Sequence, residues 1–189
     1  MSAQHVDIAR SLGYIDPRVV QSLVIIKAEH VGAQVVPHQD GCTSYTDPPS
    51  CATFWYALED ANAGNGCLAV VPGSHRVTPI TRRCRQDEHG MPSFEPQEPI
   101  FAEIQGVSAE APELKRDEEG EHVYKDLEVK AGTLVLRQGN LIHTSAANTS
   151  DKSRVAFNFG VVEGTLKWEQ DNYLQPYEGQ TEFEKLHAY

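Results

Sequence analysis

Basic residues are scarce in this chain: 16 Lys and Arg stand against 27 Asp and Glu, a formal net charge of −11 over 189 residues. No basic stripe is present to track a phosphate backbone, which argues against nucleic-acid binding as the main activity. Cysteine is sparse as well. Cys42, Cys51, Cys67 and Cys84 form no C-x-x-C pair and match no zinc spacing, so they read as reduced thiols of an intracellular protein. No apolar run reaches 18 residues, so no membrane span is expected. Met1 to His5 lack the form of a signal peptide, and Leu186-His187-Ala188-Tyr189 is not a peroxisomal tripeptide. No internal repeat is visible. The expectation is one intracellular, cytoplasmic domain over residues 1–189, large enough for a sizeable core.

What the chain does have is short β-rich segments divided by turn chemistry. Ser22 to Ala28 (SLVIIKA), Val35 to Asp40, Thr53 to Glu59 (TFWYALE), Cys67 to Val71 (CLAVV), Thr133 to Arg137 (TLVLR), Leu141 to Ser145 and Arg154 to Val162 (RVAFNFGVV) all read as strands. Asn65-Gly66 predicts a hairpin over 53–71, and Ala131-Gly132 a second between Leu127 and Arg137. About eight short strands with regular turns mean a β-sandwich or barrel with few helices. Residues 79–126 form an insertion rich in Pro and charge. They read as a solvated, mobile loop, with a lid over a site as the functional alternative. Residues 166–189, with Trp168, Tyr173, Pro176 and Tyr177, read as an extended tail packed by aromatics.

Within this framework His38-Gln39-Asp40 and His143 supply two imidazoles and one carboxylate. That is the ligand set of non-haem Fe(II) oxygenases, which leaves metal positions open. Residues i and i+2 of a strand share a face, so His38 and Asp40 aim at one point while Gln39 turns away. A second match, His5-Val6-Asp7, lies beside Ile8, Ala9 and Leu12 at helical spacing, where i and i+2 do not share a face, and reads as chance. His75, in the turn Pro72-Gly73-Ser74-His75, reads as structural, its imidazole bonded to nearby main chain, rather than as a fourth ligand.

Arg154 opens an apolar strand with no acid in that strand to pair with it. A planar fork of donors suits a carboxylate, and a dicarboxylate ligand would fill that role. An isolated Arg more often snorkels to a surface ion pair; beside the triad that reading is the weaker one. Ser145, two residues past His143, shares its face and offers a hydroxyl to the same carboxylate. Trp55 reads equally as core or as a ligand contact.

The run His38-Gln39-Asp40, the segment Trp55-Tyr56-Ala57-Leu58-Glu59-Asp60-Ala61 with Asn65-Gly66-Cys67-Leu68, the turn Pro72-Gly73-Ser74-His75-Arg76, and His143 with Arg154 eleven residues later together resemble the phytanoyl-CoA dioxygenase family. The similarity covers roughly residues 14–177 and is nearest to its domain-containing members of unassigned substrate. The resemblance implies a mainly β, double-stranded β-helix (jelly-roll) fold that uses Fe(II) and 2-oxoglutarate. It implies that His38, Asp40 and His143 hold the metal and do the catalysis, and that Arg154 clamps the far carboxylate of 2-oxoglutarate. Ser145, Trp55, Gln39 and Leu23 match further cosubstrate positions. Family members also carry an N-terminal portion before the segment resembling Ile15-Asp16-Pro17, including a lysine that contacts 2-oxoglutarate. This chain is expected to lack it, and Lys27 does not match that lysine.

The function implied is an oxygenase that couples oxidative decarboxylation of 2-oxoglutarate to hydroxylation of a small organic substrate by O₂. Two alternatives stand beside it: a cupin-like metal protein without 2-oxoglutarate, for which a buried Arg154 has no use, and a truncated, non-catalytic paralogue. An acyl-CoA substrate needs cations for its phosphates. Arg82, Arg83 and Arg85 form the one dense basic cluster, which otherwise reads as a charged turn.

Overall fold

The computed structural model describes residues 2–102 and 111–187. A helix, α1 (Ala3–Ser11), precedes eleven strands: β1 (Pro17–Lys27), β2 (Val35–His38), β3 (Ala52–Ala57), β4 (Leu68–Val70), β5 (Ile80–Gln86), β6 (Pro92–Ile100), β7 (Lys125–Leu127), β8 (Leu134–Gln138), β9 (His143–Ser145), β10 (Arg154–Glu163) and β11 (Glu184–Lys185). A major sheet runs β11-β1-β10-β3-β8 and a minor sheet β2-β9-β4-β7, with β5-β6 a separate hairpin. This is the expected mainly β jelly roll. Among the described residues no helix is long and apolar enough to cross a membrane.

The two predicted hairpins are not formed. β3 pairs with β10 and β8, whereas β4 pairs with β9 and β7. The chain therefore changes sheet between 57 and 68, and again between 127 and 134. The turn residues were real signals for a different job. Asn62 caps a single 3-10 turn, Ala63–Asn65, and Gly66 ends it at φ 76. Crossing between two facing sheets lets each strand bury its inner face, which an isolated hairpin cannot do.

Strand alternation divides β10 into two faces. Phe157, Phe159 and Val161 point outward with Phe54 and Tyr56, and α1 covers them through Val6, Ile8 and Ala9. Phe54 and Phe159 stack with centroids 4.7 Å apart. Each ring contributes roughly 1.5–3 kcal/mol by burial. Arg154, Ala156 and Asn158 point inward. Their ladder neighbours on β3, Trp55 and Ala57, join Leu68 and Cys67 of the minor-sheet side in an apolar interior. His5 lies on α1 as expected, its Nε2 2.6 Å from the Tyr56 hydroxyl. It anchors the helix and belongs to no metal-capable group among the described residues.

The insertion over 79–126 is also more ordered than its composition implied. β5 and β6 pair along most of their length. Ile80 is fully buried beside Gly41, and Asn140 donates to Thr78 O and Ile100 O. The reading of 79–126 as a solvated loop is corrected for this hairpin: its open end, Ile80 with Ile100, docks on the segment after Asp40 and on Asn140. Residues 103–110 lie outside the described part of the chain. Arg82, Arg83 and Arg85 stand on β5 rather than in a turn. Arg83 is buried against Tyr45 and bonded to Asp171 and Asn172, and Arg85 pairs with Asp171. Two of the three arginines are thus paired with Asp171 within the chain, and Arg82 stays exposed. The tail packs as expected, with Trp168 edge-on to Phe183.

Candidate metal centre

β2 and β9 are neighbours in the minor sheet, with His38 in register with His143. Asp40 lies just beyond β2, in the 3-10 turn Asp40–Cys42. The strand rule thus needs amending, since only His38 is on the strand and the turn brings Asp40 back. The three residues do converge: one ligand atom from each lies within 4.8 Å of the others. His38 Nε2 is 3.4 Å and His143 Nε2 3.5 Å from Asp40 Oδ1.

The imidazoles are prepared alike. His38 Nδ1 lies 2.8 Å from Val36 O and His143 Nδ1 2.9 Å from Leu141 O. Each contact needs the proton on Nδ1, because a carbonyl only accepts. In the neutral rings that leaves both Nε2 lone pairs on the Asp40 side, the tautomer a metal ligand requires. Burial and the Arg137 charge push His143 down to about 4. His38 moves the other way: the Asp40 carboxylate outweighs burial and raises it. Burial alone would raise Asp40, but Arg137 and the two imidazoles hold it far below the usual carboxylate range. The site is thus an ionised carboxylate between two nitrogens at neutral pH, a hard-and-borderline donor set that fits Fe(II).

The other expected residues separate into two groups. Arg154 is buried; its Nε and one terminal nitrogen donate to Gly66 O at 3.1 and 2.8 Å, and its NH1 is buried without a hydrogen-bond partner among the described residues. Gly66 is needed there, since a Cβ would meet Ala146 O at 2.5 Å. The Arg154 guanidinium lies 5.7 Å from the Trp55 ring. Ser145 is buried on β9, and Leu23 stands opposite Asn158 on the inner face of β1. Gln39, by contrast, is not brought to the cavity. Its amide donates to Asn140 O at 2.8 Å, so it braces the turn. Among the described residues His75 is not grouped with the triad, and its Nδ1 is buried without the main-chain bond expected of it. A cleft of about 650 Å³ lined by Tyr14, His75, Arg137 and Leu141 opens beside β8 and contains none of the three triad residues.

Three inward-facing residues escaped the sequence reading. Thr53 donates to Asp40 Oδ2 at 2.6 Å, and Arg137 pairs with the same oxygen at 3.1 Å. Arg137 carried the signal that had singled out Arg154, a lone cation in an apolar strand. Asn158 is buried between Trp55 and Leu23 on the ladder with no side-chain hydrogen bond among the described residues. Its signal was its place in the alternation, four residues after Arg154.

Known proteins share this arrangement of sequence and fold. The phytanoyl-CoA dioxygenase (PhyH) family model matches residues 3–156. The chain is 39% identical over 175 residues to a phytanoyl-CoA dioxygenase of Arabidopsis thaliana, covering 92% of this chain and 55% of that protein. It is 40% identical over 174 residues to phytanoyl-CoA dioxygenase domain-containing protein 1 of Bos taurus, covering 89% and 53%. The chain thus spans about half the length of the curated relatives it matches. Its fold is similar to that of EctD from S. alaskensis, solved with 2-oxoglutarate and 5-hydroxyectoine, at a TM-score of 0.66 and 20% identity over 100% of this chain and 61% of that one. On the family match and these identities, the chain belongs to the phytanoyl-CoA dioxygenase family.

Proposed function

We propose that this chain carries the centre of an Fe(II)- and 2-oxoglutarate-dependent oxygenase that hydroxylates a small organic substrate with O₂. The observation that carries the reading is the pair of imidazoles locked by Val36 O and Leu141 O, with both Nε2 atoms turned on Asp40 Oδ1. His38, Asp40 and His143 would hold the iron, which supplies the O₂ chemistry when bound. The protein's part is to bind, orient and shield.

Arg154 supports the cosubstrate assignment. Its NH1 is buried without a hydrogen-bond partner among the described residues, and the buried Ser145 lies on the neighbouring minor sheet. A buried N–H left unpaired costs roughly 1–3 kcal/mol, so a ligand carboxylate there recovers what the empty site loses. Trp55 walls the space between Arg154 and the interior, and Leu23 offers an apolar contact at the mouth. A cupin-like centre without a dicarboxylate gives Arg154 no such partner.

The test is anaerobic titration of the protein with Fe(II) and 2-oxoglutarate, following the visible charge-transfer band of the chelate. One equivalent of each producing the band supports the reading. Iron binding without a band on adding 2-oxoglutarate favours the cupin-like alternative, and no iron binding rejects the centre.

A further inference from the structure

Asp40 has two oxygens, and the fold uses them differently. Oδ1 faces His38 and His143. Oδ2 accepts from the Thr53 hydroxyl at 2.6 Å and pairs with an Arg137 terminal nitrogen at 3.1 Å. Thr53 and Arg137 are register partners on β3 and β8, so the ladder itself sets both donors on one side of the carboxylate. Both residues are buried, Arg137 with only 5% of its surface exposed.

We propose that Arg137, together with Thr53, is a positioning residue that commits Asp40 to a metal through Oδ1 alone. The inference rests on the metal-centre reading above and concerns how the carboxylate binds. A carboxylate free at both oxygens can chelate, occupying two metal positions where one is enough. An oxygen that already accepts from a hydroxyl and a guanidinium has its lone pairs engaged and its charge partly neutralised. The position saved stays available to a small-molecule ligand. Outer partners of metal-binding carboxylates orient them in this way.

Arg137 also carries a cost that needs a reason. Its Nε and NH1 are buried with no hydrogen-bond partner among the described residues. An apolar residue at this position of β8 would avoid that penalty. The bond to Oδ2 is what an apolar residue could not supply. It also gives the half-buried carboxylate a counter-ion, and a charge taken out of water without one is strongly unfavourable.

The experiment is metal-minus-apo infrared difference spectroscopy with Zn(II) as the probe, on protein labelled with ¹³C at the aspartate carboxyl. Single-oxygen ligation separates the antisymmetric and symmetric carboxylate stretches more widely than chelation does. Wild type should show the wide separation. Arg137→Met should narrow it, and Arg137→Lys, which keeps a charged donor, should restore it. A separation unchanged in Arg137→Met overturns the inference while leaving the metal centre intact. No zinc-induced carboxylate band in wild type overturns both. Should Arg137→Met fail to fold, Thr53→Val is read on the same terms: narrowing supports the inference, and an unchanged separation overturns it.

Discussion

Lys27 and Arg154 face one another across the β1–β10 ladder as two buried cations. Like charges directly opposite on a sheet destabilise it. Lys27 Nζ is held by Ala33 O and Ala146 O, each at 2.6 Å, and Arg154 by Gly66 O, so carbonyls satisfy part of their hydrogen bonding but not their charge. Two cations side by side with only neutral acceptors make a place where a ligand anion lowers the energy of the fold. In a chain of net charge −11, that placement runs against the overall balance.

The first prediction concerns this anchor. If Arg154 clamps the distal carboxylate of 2-oxoglutarate as proposed, Arg154→Ala removes one partner of a charge-assisted pair, a loss of roughly 2–5 kcal/mol. That is a weakening of at least ~30-fold. Arg154→Lys should recover little, since one ammonium cannot reproduce the fork. Iron content should survive in both variants. Calorimetric titration of 2-oxoglutarate into the metal-loaded protein checks it. Iron lost with 2-oxoglutarate affinity kept would reverse the assignment.

Lys27 sets a pH dependence. Burial, then the Arg154 charge, bring its ammonium down to about 8 from an ordinary 10.5. Between those values the unfolded chain holds the proton and the folded chain has released it. Stability from this group therefore rises with pH across that window, is complete above the unfolded value, and is lost as pH falls through about 8. Lys27→Met removes the effect. In urea unfolding, wild type should gain on Lys27→Met between pH 7.5 and pH 10. A constant gap would mean that Lys27 titrates as an ordinary lysine.

The candidate group His38, Asp40 and His143 was legible, and the residues proposed beside it could be named, because their motifs are local in sequence. His38 and Asp40 are two residues apart, and His143, Ser145 and Arg154 follow one another within twelve. Strand character was legible too, from β-branched runs and alternation. Pairing was not. Asn65-Gly66 and Ala131-Gly132 announce turns but cannot say whether the next strand returns to the same sheet or crosses to the facing one. Thr53 and Arg137 were missed for a related reason. They meet Asp40 only because β3 and β8 pair in one register, and a long-range register leaves no mark within either strand. The β5–β6 hairpin was hidden by composition, since its prolines and charges read as loop while Ile80 holds it to the core.

Asn158 gives a third prediction. Its buried amide lies between Trp55 and Leu23 on the ladder, with its side chain unbonded among the described residues. Asn158→Asp keeps the shape and adds a negative charge. If 2-oxoglutarate lies along this face, as Arg154 and Trp55 indicate, the variant should lose at least tenfold in 2-oxoglutarate affinity, the equivalent of about 1.4 kcal/mol. Asn158→Ala should lose less, since it removes a hydrogen bond without adding repulsion. Equal affinities in wild type and Asn158→Asp would place the cosubstrate elsewhere.

The last prediction concerns the ligands themselves. Asp40→Asn keeps the shape at the Thr53 hydroxyl but removes the charge that balances both Arg137 and a dication. His143→Ala and His38→Ala each remove an imidazole already held in the ligand tautomer. Losing a partner that merely orients a ligand costs 10–100-fold in metal affinity, so losing a ligand should cost at least ~100-fold. Elemental analysis after anaerobic iron loading and desalting should find iron in wild type and almost none in the three variants. His5→Ala and Asp7→Ala are the controls. His5 touches Tyr56, Phe54 and Phe159 on the outer face of the major sheet, so its loss should loosen α1 and leave iron content unchanged. Iron retained at the wild-type level in Asp40→Asn, His38→Ala and His143→Ala alike would remove these residues from the metal and the oxygenase reading with them.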